Sequence, residues 1–233
     1  VSRLPLQYAT LEIARTEAIT DVEAVRKLLE TFRQRCAEYE IPTLNERNNH
    51  PAEYCALYEQ RFLPKADDDN LAKNATVIYR LPPAERYRPI AAKALTDGLY
   101  GGTSYLEGWV GWEGKDAELT LDLGRETSLR TITSDYLHQL GAWVLLPKSV
   151  KYEVSTDGKN FKEFGKQIDF PEDRDSKIKF VDATATEKEP VKARYIKVRV
   201  TGLGMCPSWH YGVGYPAWFF VDEVKAYAHL PRR

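Results

Sequence analysis

The chain has 233 residues, 43% of them hydrophobic and 29% charged, values of a folded globular protein rather than a disordered one. Its 33 basic and 34 acidic residues leave a net charge of −1, without the basic excess that nucleic-acid binding requires. No apolar run approaches the ~18–20 residues of a membrane-crossing helix, so no membrane span is expected.

Residues 1–75 read as a helical segment, expected to be the tail of a preceding domain. Val1 leads into a helical sequence with no initiating Met and no signal peptide, which suggests the end of a longer protein. Thr20 and Glu23 fit a capping box, the Thr20 hydroxyl accepting the Glu23 amide while Glu23 reaches back. Behind them Val22, Val25, Leu29, Phe32 and Cys36 recur at three- and four-residue steps, one apolar stripe that runs to about Tyr39. Pro42 stops that helix, and a second is predicted from near His50, with Pro51 at its first position. Tyr54, Cys55, Tyr58 and Phe62 form its apolar side, and Asp67 to Asp69 read as a solvated turn. Cys36, Cys55 and Cys206 lack zinc-type spacing and are odd in number, so they read as small buried hydrophobes.

From Ala75 the period switches to two. Alternation marks strands at 76–80, 118–123, 149–155, 177–180, 194–200 and 219–227, separated by turn signals such as Thr156-Asp157-Gly158. Short alternating strands with no helices between them predict a mainly β protein over 76–233, an antiparallel β-sandwich or jelly roll. Just before the last strand lies the run Met205 to Trp218. Pro207, Gly212, Gly214 and Pro216 forbid regular structure there, yet the run carries Trp209, His210, Tyr211, Tyr215 and Trp218. Such a loop is either a cap on the core or a binding platform.

The order of segments then resembles a known family. Ala94 to Gly98 (ALTDG), Trp109, Leu119 to Gly124 (LTLDLG), Leu146-Pro147 leading to Val150 to Gly158 (VKYEVSTDG), Phe161, Ala193 to Val198 (ARYIKV) and Asp222-Glu223-Val224 are similar to discoidin domains, also called coagulation factor 5/8 type C domains. The match covers about residues 90–228. Cys206-Pro207, Trp209-His210, Gly214 and Trp218 resemble the modules attached to bacterial glycoside hydrolases, which include family 32 carbohydrate-binding modules. Leu4 to Tyr8 and Cys36 to Glu46 have a fainter likeness to the end of a family 20 hydrolase-like domain.

That resemblance implies a discoidin-like sandwich, an extracytoplasmic setting (periplasm or cell surface) and a structural calcium ion. The positions matching the calcium pattern are Asp97 and Glu223, with Thr103 and a main-chain carbonyl near Leu95, although Leu99 and Tyr100 stand where a further oxygen donor is common. Without calcium, Asp97 would cap a turn and Glu223 would pair with a base. Sugar binding needs flat rings for the C–H face of a pyranose and polar groups for its hydroxyls. Three stretches could supply them: Tyr100 to Glu113, Asp135 to Trp143 and Met205 to Trp218. The candidates are Trp209, His210, Tyr211, Tyr215, Trp143, His138 and Tyr105, with Gln139 and Glu107 as further polar groups. Trp109 stands where the family keeps a core tryptophan and Trp218 enters a strand, so both read as structural; His210 and Trp143 serve either purpose.

No carboxylate pair is singled out for glycoside hydrolysis, and no nucleophile elbow or metalloprotease helix occurs. The expected function is a non-catalytic carbohydrate-binding module at the end of a bacterial glycoside hydrolase-like protein, its partners a glycan and a catalytic domain of the same chain. The alternatives are an accessory domain that supports a catalytic domain without binding sugar, and helices that complete a catalytic domain, with Glu46 lining a cleft.

Overall fold

The computed structural model describes residues 3–16, 19, 21–44, 50–63 and 69–231. The chain divides into two compact units, Val1–Asp68 and Asp69–Arg233.

The first unit is helical: α1 (Leu4–Thr16), α2 (Val22–Glu38) and α3 (Pro51–Leu57), the last running on into a π-helical turn at Tyr58–Phe62. Thr20 lies outside the described residues. Among the described residues the cap of α2 is Asp21, whose Oδ1 accepts the Ala24 amide at 2.9 Å. The expected stripe is realised at Leu29, Phe32 and Cys36, which are buried, while Val22 and Val25 are half-buried. His50 caps α3 with Pro51 in its first turn, and Tyr54, Cys55 and Tyr58 close the small core against Leu11. The Tyr58 hydroxyl donates to the Leu11 carbonyl at 2.8 Å, which fixes α3 on α1. Glu46 and the first two residues of the acidic turn, Asp67 and Asp68, lie outside the described residues.

The second unit is the β-sandwich. Its strands are β1 (Thr76–Leu81), β2 (Val110–Glu113), β3 (Ala117–His138), β4 (Ser149–Ser155), β5 (Lys162–Asp169), β6 (Lys179–Thr201) and β7 (Trp218–Tyr227). They hydrogen-bond in the order β2-β7-β3-β6-β4-β5, with β1 also on β3, and every pairing is antiparallel. β3 and β6 are long because each serves two sets of neighbours. Residues 118–122 of β3 pair with β1 and β6, whereas residues 131–137 pair with β6 and β7. The β3–β6 ladder breaks between Asp122 and Thr127, where Gly124 takes φ +76°, a conformation costly for any residue with a Cβ.

Inward residues of these strands, with Trp109 just before β2, form one core that includes Trp112, Leu121, Ile132, Tyr136, Tyr152, Phe164, Val198 and Phe220. Its deepest polar atoms reach main-chain acceptors. The Trp109 indole donates to the Gly102 carbonyl at 2.9 Å, and the Tyr152 hydroxyl to the Ala183 carbonyl at 2.9 Å. Trp109 is the core tryptophan the sequence suggests. Trp218 is only half-buried, stacked on Phe220 at 5.6 Å. All three cysteines are buried free thiols.

Candidate functional site

Two groups of side chains sit where loops meet β7. The first is the aromatic loop. Its base is closed by an antiparallel bridge between Met205 and Pro216, with the Cys206 amide donating to the Tyr215 carbonyl at 2.9 Å and Ala217 to Gly204 at 3.0 Å. Gly214, at φ +87°, lets the chain turn back. Inside the loop, His210 is 3% exposed and both ring nitrogens are engaged. Nδ1 accepts the Gly212 amide at 3.0 Å, which leaves Nε2 to donate to the Leu140 carbonyl, 3.2 Å away. The structure therefore puts His210 to work folding the loop, with no ring nitrogen left over for a sugar hydroxyl.

Around that histidine the rings of Tyr211 and Tyr215 are 66% and 59% exposed. They meet the half-buried Trp143 ring at 6.0 and 5.3 Å between centroids, and Tyr211 stacks on His210 at 4.4 Å. Trp143 holds its place through a left-handed backbone, φ +62°, at the end of a short 3-10 turn (Leu140–Ala142). Gly212 lies tight against it: an added Cβ would come within 3.1 Å of the Trp143 ring. The Tyr211 hydroxyl donates to the Gly141 carbonyl at 2.7 Å.

The three stretches named from sequence do converge. The Tyr105 amide donates to Gln139 Oε1 at 3.3 Å, His210 and Tyr211 reach residues 140 and 141, and the Trp218 amide donates to the Trp143 carbonyl at 3.1 Å. Their side chains have different fates. Tyr105 is half-buried against Phe220 at 5.7 Å. His138 is buried, its Nε2 2.8 Å from the Asp175 carbonyl, so it secures the loop after β5 instead of facing solvent. Trp209, half-buried, stands at the side of the loop: its indole donates to Glu172 at 2.6 Å, and the Arg174 guanidinium lies 5.0 Å from its ring. Sequence reasoning missed Glu172 and Arg174, because PEDRDSK reads as an ordinary solvated connector.

The second group is acidic. Glu223 is 1% exposed in β7; its Oε1 accepts the Gly98 amide at 2.8 Å, and its Oε2 is buried with no hydrogen-bond partner among the described residues. Asp97 Oδ1 accepts the Leu99 amide, and Asp222 Oδ2 accepts the Gly101 amide at 2.6 Å. Burial, then the charge of Asp222, pushes the Glu223 carboxyl up to about 9, and burial also raises Asp97. The Leu95 carbonyl accepts the Val224 amide at 2.8 Å and keeps one lone pair, and Thr103 is half-buried in the same loop. Asp97 and Glu223 also interact directly through their carboxyl groups, and a buried carboxylate pair of this kind is one that a cation such as calcium can satisfy. Among the described residues, no three acidic, histidine or cysteine side chains form a metal-binding group, so carbonyl and hydroxyl oxygens would have to complete any such shell. Asp222 is the acid that sequence reasoning passed over. Strand alternation would send one of Asp222 and Glu223 outward, and both are buried.

Comparison with known proteins adds the following. Residues 75–219 match the family model of the F5/8 type C domain. No curated protein matches the chain. Similar solved structures include CpGH89CBM32-5 from Clostridium perfringens in complex with GalNAc-beta-1,3-galactose, 20% identical over 66% of this chain and 96% of that one, with TM-score 0.41. Another is chitosan-binding module 1 of a chitosanase/glucanase from Paenibacillus sp. IK-5, 16% identical over 68% and 98%, TM-score 0.42. A GH29 fucosidase of Ruminococcus gnavus in complex with fucose is 16% identical over 77% of this chain but 29% of its own length, TM-score 0.44.

Proposed function

This chain belongs to the F5/8 type C domain family, and from that premise we propose that it is a non-catalytic carbohydrate-binding module whose ligand lies against Trp143, Tyr211 and Tyr215. The observation that carries the reading is the pairing of exposed rings with inward-turned polar atoms. Tyr211 and Tyr215 present their faces, while the Tyr211 hydroxyl and both His210 nitrogens are already bonded inside the protein. A pre-shaped apolar surface of this kind matches the C–H face of a pyranose and loses little conformational freedom on binding. His210 supports it from below, with Trp209 beside that histidine, while His138 and Tyr105 hold neighbouring loops in place.

Calcium belongs to the same proposal. Asp97, Glu223, the Leu95 carbonyl and Thr103 would hold it, and the unpartnered Glu223 Oε2 supports that assignment. Bound there, the ion would tie the loop after Thr96 to β7. The setting we propose is extracytoplasmic, in the periplasm or at the cell surface, beside a catalytic domain of a longer bacterial glycoside hydrolase-like protein.

A glycan array probed with the chain and with Tyr215→Ala tests the reading. Binding to at least one glycan, reduced about tenfold or more in the variant, is expected. A folded chain that binds no glycan would leave the accessory-domain alternative, in which the exposed Met205, Tyr211, Val213 and Tyr215 dock on a neighbouring domain.

A further inference from the structure

Arg86 belongs to neither group. It lies in the 3-10 turn Glu85–Tyr87, and its guanidinium sits 4.6 Å from the Trp218 ring centroid, 4.8 Å from Tyr87 and 5.8 Å from Tyr105. Those rings are braced against one another. Tyr87 is buried and meets Phe220 edge-on at 5.1 Å, and Phe220 in turn stacks with Trp218 and touches Tyr105. The position of the cation is therefore set by the core of the sandwich and not by a flexible stem alone.

What Arg86 lacks is a counter-ion. Among the described residues no carboxylate lies within ion-pair distance of it, although the side chain is exposed. Elsewhere in the sandwich Arg194 is forked onto Asp122 at 2.8 Å, and Arg199 bridges Glu118 and Glu153 at 2.8 and 2.6 Å. Contact over the ring faces, together with an interaction with the Tyr87 hydroxyl, steadies the guanidinium without engaging its whole N–H edge as a forked carboxylate would. Arg88, two residues on and also exposed, has no ion pair among the described residues either.

We propose that Arg86, seated on Tyr87, Tyr105 and Trp218, is an oxyanion subsite that makes this module prefer acidic glycans. The group it takes is the carboxylate of a uronate or the sulfate ester of a sugar, held by paired N–H donors. The proposal rests on the glycan reading above. The subsite and the ring platform share their framework, since the Trp218 amide bonds the Trp143 carbonyl and the Tyr105 amide bonds Gln139.

The test is calorimetric titration of the whole chain with neutral oligosaccharides and the uronate and sulfated counterpart of each, at low and at ~150 mM salt. At low salt an acidic member should bind about tenfold tighter than its neutral counterpart, with the advantage shrinking as salt rises. Arg86→Gln should remove that advantage and leave the affinity for the neutral sugar unchanged. If neutral sugars bind and the acidic ones gain nothing, or if Arg86→Gln keeps the preference, the subsite is wrong while the glycan reading stands. If nothing binds, both fall, and binding to anionic-lipid vesicles alone would also overturn the subsite. Should Arg86→Gln melt early, Arg86→Lys decides, because it keeps the charge over the rings but loses the fork: most of the carboxylate preference should go, and an undiminished preference contradicts the proposal.

Discussion

The acid cluster and the aromatic loop both attach to β7, yet they solve opposite problems. In the acid cluster, carboxylates from two distant chain segments are driven into the protein, and Glu223 Oε2 finds no partner among the described residues. In the aromatic loop the hydrogen bonds of His210 and Tyr211 run inward to main-chain groups, and ring faces remain outside. The contrast teaches what each region asks of a ligand. Carboxyl groups buried against one another call for a proton or a cation. Satisfied polar atoms beneath exposed rings call for an apolar face with hydroxyls at its edge.

The largest expected effect concerns Glu223. Its folded pKa of about 9 lies above the ordinary 4.5, so the folded chain holds a proton there that the unfolded chain has lost. The stability linked to that proton is therefore full below the lower value and declines as pH rises toward the higher one. At about 1.4 kcal/mol for each pH unit between the two values, the effect is on the order of several kcal/mol. Thermal melts in chelator should show the melting temperature falling across this window, calcium should restore it at the upper end, and Glu223→Gln should flatten both responses. Melts insensitive to pH and calcium would remove the first half of the comparison.

Next comes Gly101, whose amide serves Asp222. An added Cβ would stand 2.5 Å from the Trp109 ring, so Gly101→Ala should cost about 1–3 kcal/mol by overpacking. Glycan affinity of the protein that remains folded should not change, which calorimetry on the purified variant checks. The smallest effect on stability, and the sharpest on binding, is expected from His210→Ala. Loss of its two loop bonds should cost about 1–2 kcal/mol. Sugar affinity should fall as far as in Tyr215→Ala, because the platform loses its support; unchanged affinity would mean the loop is shaped by something else.

Much of the sandwich is readable from period-two alternation, as in β4, where Lys151 and Glu153 stand between Val150, Tyr152 and Val154; β1 alternates in burial, although Val77, Ile78 and Tyr79 are all apolar. The inner half of β3 is not. Residues 131–138 are buried on both faces between β6 and β7, so no alternation marks them, and β2 is only four residues long. β6 reads as two strands because Glu187 to Glu189 interrupt its apolar pattern, although the strand runs through them. For the site, the aromatic loop is legible because Gly and Pro beside five aromatic rings is an unusual combination. The inward turn of His210 is not, since it depends on a carbonyl seventy residues away in sequence. Arg86 is hidden for a similar reason: two of its three rings belong to other segments.

The central claim is that a sugar rests on the rings of Trp143, Tyr211 and Tyr215. Saturation-transfer NMR tests it most directly, by irradiating the aromatic protons of the chain in the presence of a glycan that binds. Saturation should reach the C–H protons on one face of the sugar and vanish in a folded Tyr211→Ala, Tyr215→Ala double variant. Transfer that is absent, or equally strong in the double variant, would contradict the account.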